Sequence, residues 1–478
     1  MEKLVLVFDC GATNVRVVAM NEKGEIAASK SHPNRTVEDP HYPGGRIWDI
    51  NELWDKLCDA SKYVVSQINP KNIVGVTVTT FGVDGTFLDA EGNYLYPVVS
   101  WQCERTNPIM DGIDKYIPLE QLYGINGVYP YNFNTINKFI WFKENRPDVL
   151  DQAQDFLFMP SLLIHLLSGE RVNDSTMMGT SMLTDIKTGA CSSQVMDKIG
   201  VSSDLLKNVG QPGDVVGKII GTASEVTGIP QGVAVCLAGH DTQFAVFGSG
   251  ANESQAVLSS GTWEILMSRS GNFLSGKEQL DLGISTELDV QQGKYNPCIN
   301  WLGSGVLEWM RKNFYPEFAS PECYEVMIGD ASKIKPGSNG IKVIPDFYNT
   351  EAGQCGGAIQ GLHLNCTRGE IYRATLEALA YKLRDSLQAL ELAGNFKAEK
   401  IICVGGGSKN ALWNQIRADV CNVPIELIDQ KETTVLGASM FVFSGLGVFS
   451  SAEEARENIA YNPQLIIPSE NAKHYQNQ

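Results

Sequence analysis

LVLVFDCGATNVRVVAM, residues 4–20, is the stretch that decides how the rest of the chain is read. An apolar run suited to a buried strand stops at Asp9, passes through Cys10, Gly11, Ala12, Thr13 and Asn14, and resumes as a second apolar strand. Small residues at such a hairpin tip can aim backbone N–H groups and a hydroxyl at an anion, because glycine lets the main chain approach closely. Residues 256–271, AVLSSGTWEILMSRSG, repeat the device with Gly261 and Thr262 at the tip. Two such tips facing each other would clasp a polyphosphate; taken singly, each reads equally as a tight β-turn. A carboxylate beside a phosphate cradle repels the ligand unless a divalent cation intervenes. Asp9 is therefore expected to position Mg²⁺ through bound water while Gly11 and Thr13 receive phosphate.

A third element, KIICVGGGSKNALWNQIRADV at 400–420, is a buried strand, three glycines from Gly405 to Gly407, and an amphipathic helix capped by Ser408 or Asn410. Strand, glycine turn and helix start together make a nucleotide-sized niche, although the spacing fits neither a P-loop nor Gly-x-Gly-x-x-Gly. A plain strand-to-helix turn is the alternative.

The chemistry is expected between the two hairpins. VCLAGHDTQFAVFGSG, residues 235–250, delivers His240 and Asp241 at a glycine-bounded corner. Transfer of a phosphoryl group to an alcohol needs a carboxylate near the attacking hydroxyl, and Asp241 is the candidate general base, with a turn or cap aspartate as the bland reading. The six histidines have no metal-ligand spacing, so His240 reads as a structural or substrate-contacting side chain. No Gly-x-Ser-x-Gly supports a serine nucleophile. In residues 79–106, Gly82, Asp84, Trp101 and Arg105 combine small turns with charged and aromatic surface. That mixture suits a polyol, whose hydroxyls meet carboxylates and whose C–H face meets an aromatic ring; core packing is the alternative.

The whole chain bounds these readings. Its 478 residues exceed what one core usually serves, so two domains with a cleft are expected. Strand-like runs at 4–8, 15–20 and 73–79 mix with helical periodicity at 51–67 and 136–145, an α/β pattern. With 55 acidic against 38 basic side chains, the net charge of −17 argues against nucleic acid as a partner. Eleven cysteines without a Cys-x-x-Cys pair suit reduced thiols in a cytoplasm. No apolar run approaches a membrane span, and the first is too short for a signal peptide.

Asp9-Cys10-Gly11-Ala12-Thr13-Asn14-Val15-Arg16, together with FNTINKFIWFKEN at 133–145 and GAIQGLHLNCTRGEIYRATLE at 357–377, resembles the FGGY carbohydrate kinases of the actin-like ATPase fold. The resemblance spans nearly the entire chain. It implies an α/β protein of two actin-like (ribonuclease H-like) domains with a catalytic cleft between them. Residues 1–243 would form the sugar and Mg²⁺ side and residues 244–478 the ATP side, with the last helix returning to the first lobe. It further implies that Asp241 takes the proton of a primary hydroxyl and Asp9 orients Mg²⁺. Thr13, Asn14 and Arg16 would meet the outer phosphates from one lobe, and Gly261 and Thr262 from the other. Gly405, Gly406 and Asn410 would seat adenosine, Glu308 would stand on the nucleotide side, and Gly82, Asp84, Trp101, His240 and Asn300 would touch the sugar. The implied substrates are ATP and a 6-deoxy-ketose, L-fuculose, phosphorylated at O1. L-Rhamnulose or a pentulose is the alternative within the class; a non-catalytic actin-like ATPase is the alternative outside it. No nucleic acid or membrane partner is expected, and the oligomeric state is open.

Overall fold

In the computed structural model, which describes residues 2–318, 322–347 and 356–476, the opening stretch lies at the centre of a seven-stranded sheet. Leu4–Cys10 pairs antiparallel with Asn14–Asn21, which pairs antiparallel with Ile26–Pro33. On its other side Leu4–Cys10 runs parallel to Ile73–Thr80, which is joined in parallel by Ala234–Cys236. The second hairpin starts a second seven-stranded sheet in the same order. Gln255–Ser260 pairs antiparallel with Trp263–Ser268, which pairs antiparallel with Tyr295–Leu302. On the other side of Gln255–Ser260 lie, in parallel, Lys400–Val404 and then Ile425–Leu427. The echo between the two stretches of sequence is thus an echo of whole sheets.

Leu4–Cys10 reads as an unbroken apolar run because both its faces are covered; every residue in it is buried except Asp9, which is partly so. Leu6 and Phe8 pack under Leu53, Leu57 and Val64 of the helix Ile50–Gln67. Val5 and Val7 face Val435, Leu436 and Val442 of the helix Thr433–Gly445. That helix returns from the far end of the chain, whereas the terminal turn Ala472–Tyr475 stays with the second sheet. There Tyr475 donates its hydroxyl to Glu377 Oε1 at 2.7 Å.

Two of the spaced sequence patterns have structural explanations. In the first, Lys138 is buried against Asp84, and Trp141 lies under the Arg105 guanidinium at 4.7 Å. In the second, Thr367 and Glu370 form a capping box that starts the 27-residue helix Arg368–Gly394. Among the described residues no helix is long and apolar enough to cross a membrane.

Candidate active site between the two sheets

A cavity of about 330 Å³ opens between the lobes. The first lobe lines it with Gly82, Val83, Trp101, His240 and Asp241, the second with Glu287 and Asn300. Five residues separated by up to 218 positions in sequence, Gly82, Trp101, His240, Asp241 and Asn300, therefore meet as the sequence reading expects. Tyr131 ties the two walls together, its hydroxyl donating to Asn300 Oδ1 at 3.3 Å while its ring stacks on Phe133 at 4.9 Å.

Asp84 does not line this cavity. It is fully buried behind the wall, where Oδ2 accepts from Trp48 Nε1 at 2.6 Å and from the Trp101 backbone N–H at 3.0 Å, and Oδ1 pairs with Lys138. Burial raises the Asp84 carboxyl and lowers the Lys138 ammonium, each partly opposed by the other's charge. The pair shapes the cavity from behind: Lys138 Nζ and Thr135 Oγ1 both donate to the Val83 carbonyl, at 3.0 and 2.8 Å. These bonds hold Val83 at φ 65°, a left-handed conformation costly for a β-branched residue.

The corner that carries Asp241 is built on the edge of Ile73–Thr80, with Gly239 level with Thr79 and His240 with Thr80. Thr79 Oγ1 donates to the Gly239 carbonyl at 3.0 Å, and the His240 N–H donates to Thr176 Oγ1 at 2.8 Å. Gly239 adopts φ 153°, and a Cβ there would fall 2.0 Å from Asp174 Oδ1. Asp241 opens the helix Asp241–Gly248, accepts from Thr242 Oγ1 at 3.1 Å, and has His240 Nε2 at 3.4 Å from Oδ1. Burial raises its carboxyl, with His240 and Thr242 opposing. For His240, burial works against the charged ring, but Glu287 and Asp241 outweigh it and hold the imidazole above its ordinary value.

The first hairpin tip is stapled from outside. The Gly11 N–H donates to the Asn14 carbonyl at 2.9 Å, Asn34 Nδ2 donates to the Gly11 carbonyl at 2.8 Å, and the Asn34 N–H donates to the Thr13 carbonyl at 2.7 Å. Asn34 was invisible to pattern reading, since it simply follows Pro33 at the end of a strand. Arg16 donates through Nε to Asp9 Oδ2 at 2.7 Å and reaches Glu432 Oε2 at 2.6 Å. Burial raises Asp9 to about 6, with Arg16 opposing and the charge of Asp241 adding to the rise. Among the described residues nothing donates to Asp9 Oδ1, and no cluster of three metal-binding side chains exists. A single carboxylate oxygen beside a phosphate turn fits Mg²⁺ held chiefly by water and by a nucleotide's own phosphates, which is how that ion is commonly bound.

The second tip rests on the start of the helix Ser304–Phe314: the Gly303 and Gly305 N–H groups donate to the Thr262 carbonyl at 3.0 and 3.1 Å, and the Ser304 N–H donates to the Gly261 carbonyl at 3.0 Å. The glycine turn seats directly on this hairpin, because a Cβ at Gly405 would lie 2.7 Å from the Ser260 carbonyl oxygen. Beneath it Glu264 is buried against Arg417 and accepts from Ser260 Oγ at 2.8 Å and Trp301 Nε1 at 3.0 Å. A Cβ at Gly406 would meet nothing within 4 Å, so that side of the turn faces open space. Asn410, not Ser408, caps the helix Ala411–Cys421, accepting from the Trp413 N–H at 3.0 Å. Glu308 is committed to Arg311, at 2.7 Å, and to the Tyr324 hydroxyl, at 2.9 Å, and these hold its carboxyl down at about 2.

Sequence profiles of the FGGY family of carbohydrate kinases match the chain over residues 4–248 for the N-terminal domain and 256–445 for the C-terminal domain. The chain belongs to this family. This FGGY kinase is 42% identical over 467 residues to the L-fuculokinase of Escherichia coli, covering 98% of each chain. Against the rhamnulokinase of Bacteroides thetaiotaomicron the identity is 26% over 484 residues, covering 97% of this chain and 96% of the relative. Its fold matches that of xylulose kinase from Rhodospirillum rubrum with a TM-score of 0.89 at 20% identity, over 100% of this chain and 96% of that one. The FGGY kinase is thus an α/β protein of two actin-like, ribonuclease H-like domains and an ATP-dependent carbohydrate kinase.

Proposed function

We propose that the protein is an L-fuculokinase, transferring the γ-phosphoryl group of ATP to O1 of L-fuculose to give L-fuculose 1-phosphate and ADP. The observation that carries this reading is the 42% identity to an L-fuculokinase over matched full lengths, against 26% to a rhamnulokinase. A cavity of about 330 Å³ with one apolar wall and convergent polar groups supports a small polyol as its occupant. Residues 1–243 carry most of the ketose and metal side, with Asn300 reaching the ketose from the second lobe, and residues 244–478 carry the nucleotide side.

Asp241 accepts the proton of the attacking O1 hydroxyl, and His240 and Asn300 orient the neighbouring hydroxyls against the Trp101 ring. Gly82 acts by what it lacks: a Cβ there would lie 2.9 Å from His240 Nε2, so the glycine leaves room for the imidazole. Gly11, Thr13 and Asn14 cradle the outer phosphates from one lobe, Gly261 and Thr262 from the other. Arg16, already holding Asp9, adds positive charge there. Gly405, Gly406 and Asn410 border the adenosine. Glu308, tied to Arg311, orders the helix behind the nucleotide and does not meet phosphate with a bare charge. Mg²⁺, held through Asp9, would offset charge on the transferring phosphoryl group. The ten described cysteines are all free, which supports a reducing cytoplasm as the compartment.

The test is a coupled ADP-release assay across purified ketoses. L-Fuculose is expected to give the highest kcat/KM; an equal or higher value on L-rhamnulose or a pentulose overturns the substrate.

A further inference from the structure

Glu287 stands opposite the catalytic corner and was not singled out by any motif. It lies in Ser285–Leu288 of the second sheet, lines the cavity, and has a side chain only 15% exposed. Gln243, on the first turn of the helix that Asp241 opens, donates Nε2 to Glu287 Oε2. The same oxygen lies 3.5 Å from His240 Nδ1, an ion-pair approach slightly too long for a hydrogen bond. His240 Nε2 in turn lies 3.4 Å from Asp241 Oδ1. The imidazole is therefore strung between two carboxylates, one from each lobe, over the space left by Gly82. A third acid, Asp174, faces the ring from the start of the helix Ser175–Thr180.

We propose that Glu287 is a positioning residue that acts through His240: it anchors Nδ1 from across the cleft and thereby fixes how Nε2 steers the Asp241 carboxylate that receives the ketose proton. A hydrogen-bond partner on one imidazole nitrogen determines what the other can do. In the protonated ring both nitrogens donate: Nδ1–H is directed at Glu287 and Nε2–H at Asp241, which orients that carboxylate and favours its ionised form. Because Glu287 belongs to the second lobe, the grip on His240 depends on the lobes being together, and the base is aligned only where the nucleotide lobe is also in place. This inference rests on the ketose-kinase reading.

Glu287→Gln keeps the side chain's size and its accepting oxygen but removes the charge. In the full-length enzyme it is expected to lower kcat for the ketose by roughly 10- to 100-fold, the range seen when a partner behind a ligating histidine is lost, while KM for ATP stays as in the wild type. The His240 titration, followed by NMR on histidine-labelled protein, should shift to lower pH, because a neighbouring negative charge has gone. Glu287→Asp, with the charge kept and the reach shortened, should fall between the two in both readouts, and carries the same test should the Gln variant not fold. Wild-type kcat in Glu287→Gln, or a loss of kcat with the His240 titration unmoved, overturns the proposal. Absence of turnover on every ketose by the wild-type enzyme would overturn the substrate reading instead, and the His240 titration would still decide whether Glu287 holds the ring.

Discussion

Asp9 and Gly239 stand level with each other on either side of Thr79, at the same end of three parallel strands. With neighbouring strands about 4.8 Å apart, the carboxylates of Asp9 and of Asp241, two residues beyond Gly239, share one end of the sheet. Asp241 accordingly contributes to the raised carboxyl of Asp9. The register of one parallel ladder is what brings these two acids to the same end of the sheet.

Gly239 is the tightest point of that ladder. In Gly239→Ala a Cβ would arrive 2.0 Å from Asp174 Oδ1 and 2.3 Å from Thr176 Oγ1, and Thr176 Oγ1 is also the acceptor for the His240 N–H. The substitution is expected to destabilise the protein by about 3 kcal/mol and to displace the His240–Asp241 corner. Thermal unfolding and ketose turnover should both fall; wild-type kcat in a folded variant would mean that the corner tolerates movement.

Asp241→Asn removes the proposed proton acceptor while keeping the shape of the helix start. Loss of a general base typically costs about 10²–10⁴ in rate, and the loss should appear in kcat with ATP binding preserved. Calorimetric titration with ATP, paired with steady-state kinetics, separates the two quantities. Near-normal kcat would reject the assigned base.

Asp9 makes opposed contributions to stability and activity. The folded protein holds its carboxyl at about 6 against an ordinary 3.8, because burial outweighs the Arg16 ion pair. The folded state therefore favours the protonated acid. The stability this contributes is complete below pH 3.8 and is lost as the pH rises through 6. Asp9→Asn should consequently stabilise the ligand-free protein at pH 8, by up to about 3 kcal/mol, as read by urea unfolding. In the proposed role of Asp9, binding of Mg·ATP needs the ionised carboxylate, so kcat/KM for ATP in the wild type should decline as the pH falls below about 6. Asp9→Asn should lose most activity and that pH limb together.

Lys138→Met leaves the buried Asp84 carboxylate without its cation, since both side chains are at most 2% exposed. Breaking such a pair from one side costs about 3–5 kcal/mol, much of which is spared when both partners become apolar. Lys138→Met alone should therefore unfold at markedly lower urea than the Lys138→Met, Asp84→Leu double variant. Both should raise KM for the ketose, because Asp84 also holds the Trp101 backbone. A single variant as stable as wild type would show that the pair contributes little.

Much of the site was legible because local chemistry announces it. The two hairpin tips, the glycine turn at Gly405–Gly407 and the acid after His240 each combine a strand end with residues that suit one task, and of these Asp241 lines the cavity. Asp84 misled for an instructive reason. A polar residue in a glycine-bounded turn reads as a ligand contact, but its partner Lys138 comes from a helix 54 positions away and draws it into the interior. Asn34, Glu287 and Glu432 had no local signature at all, because each acts on a partner that only chain folding supplies.

The sequence by itself determined two α/β units of like topology, since hydrophobic period and turn chemistry are properties of short segments, and it determined which acids and glycines could serve a phosphoryl transfer. The tertiary structure alone decided which polar side chains face the cleft and which are buried behind it, and that Glu287 reaches His240 from the other lobe. Those outcomes depend on contacts across more than forty residues of chain, where burial and charge pairing select among partners that no local pattern names.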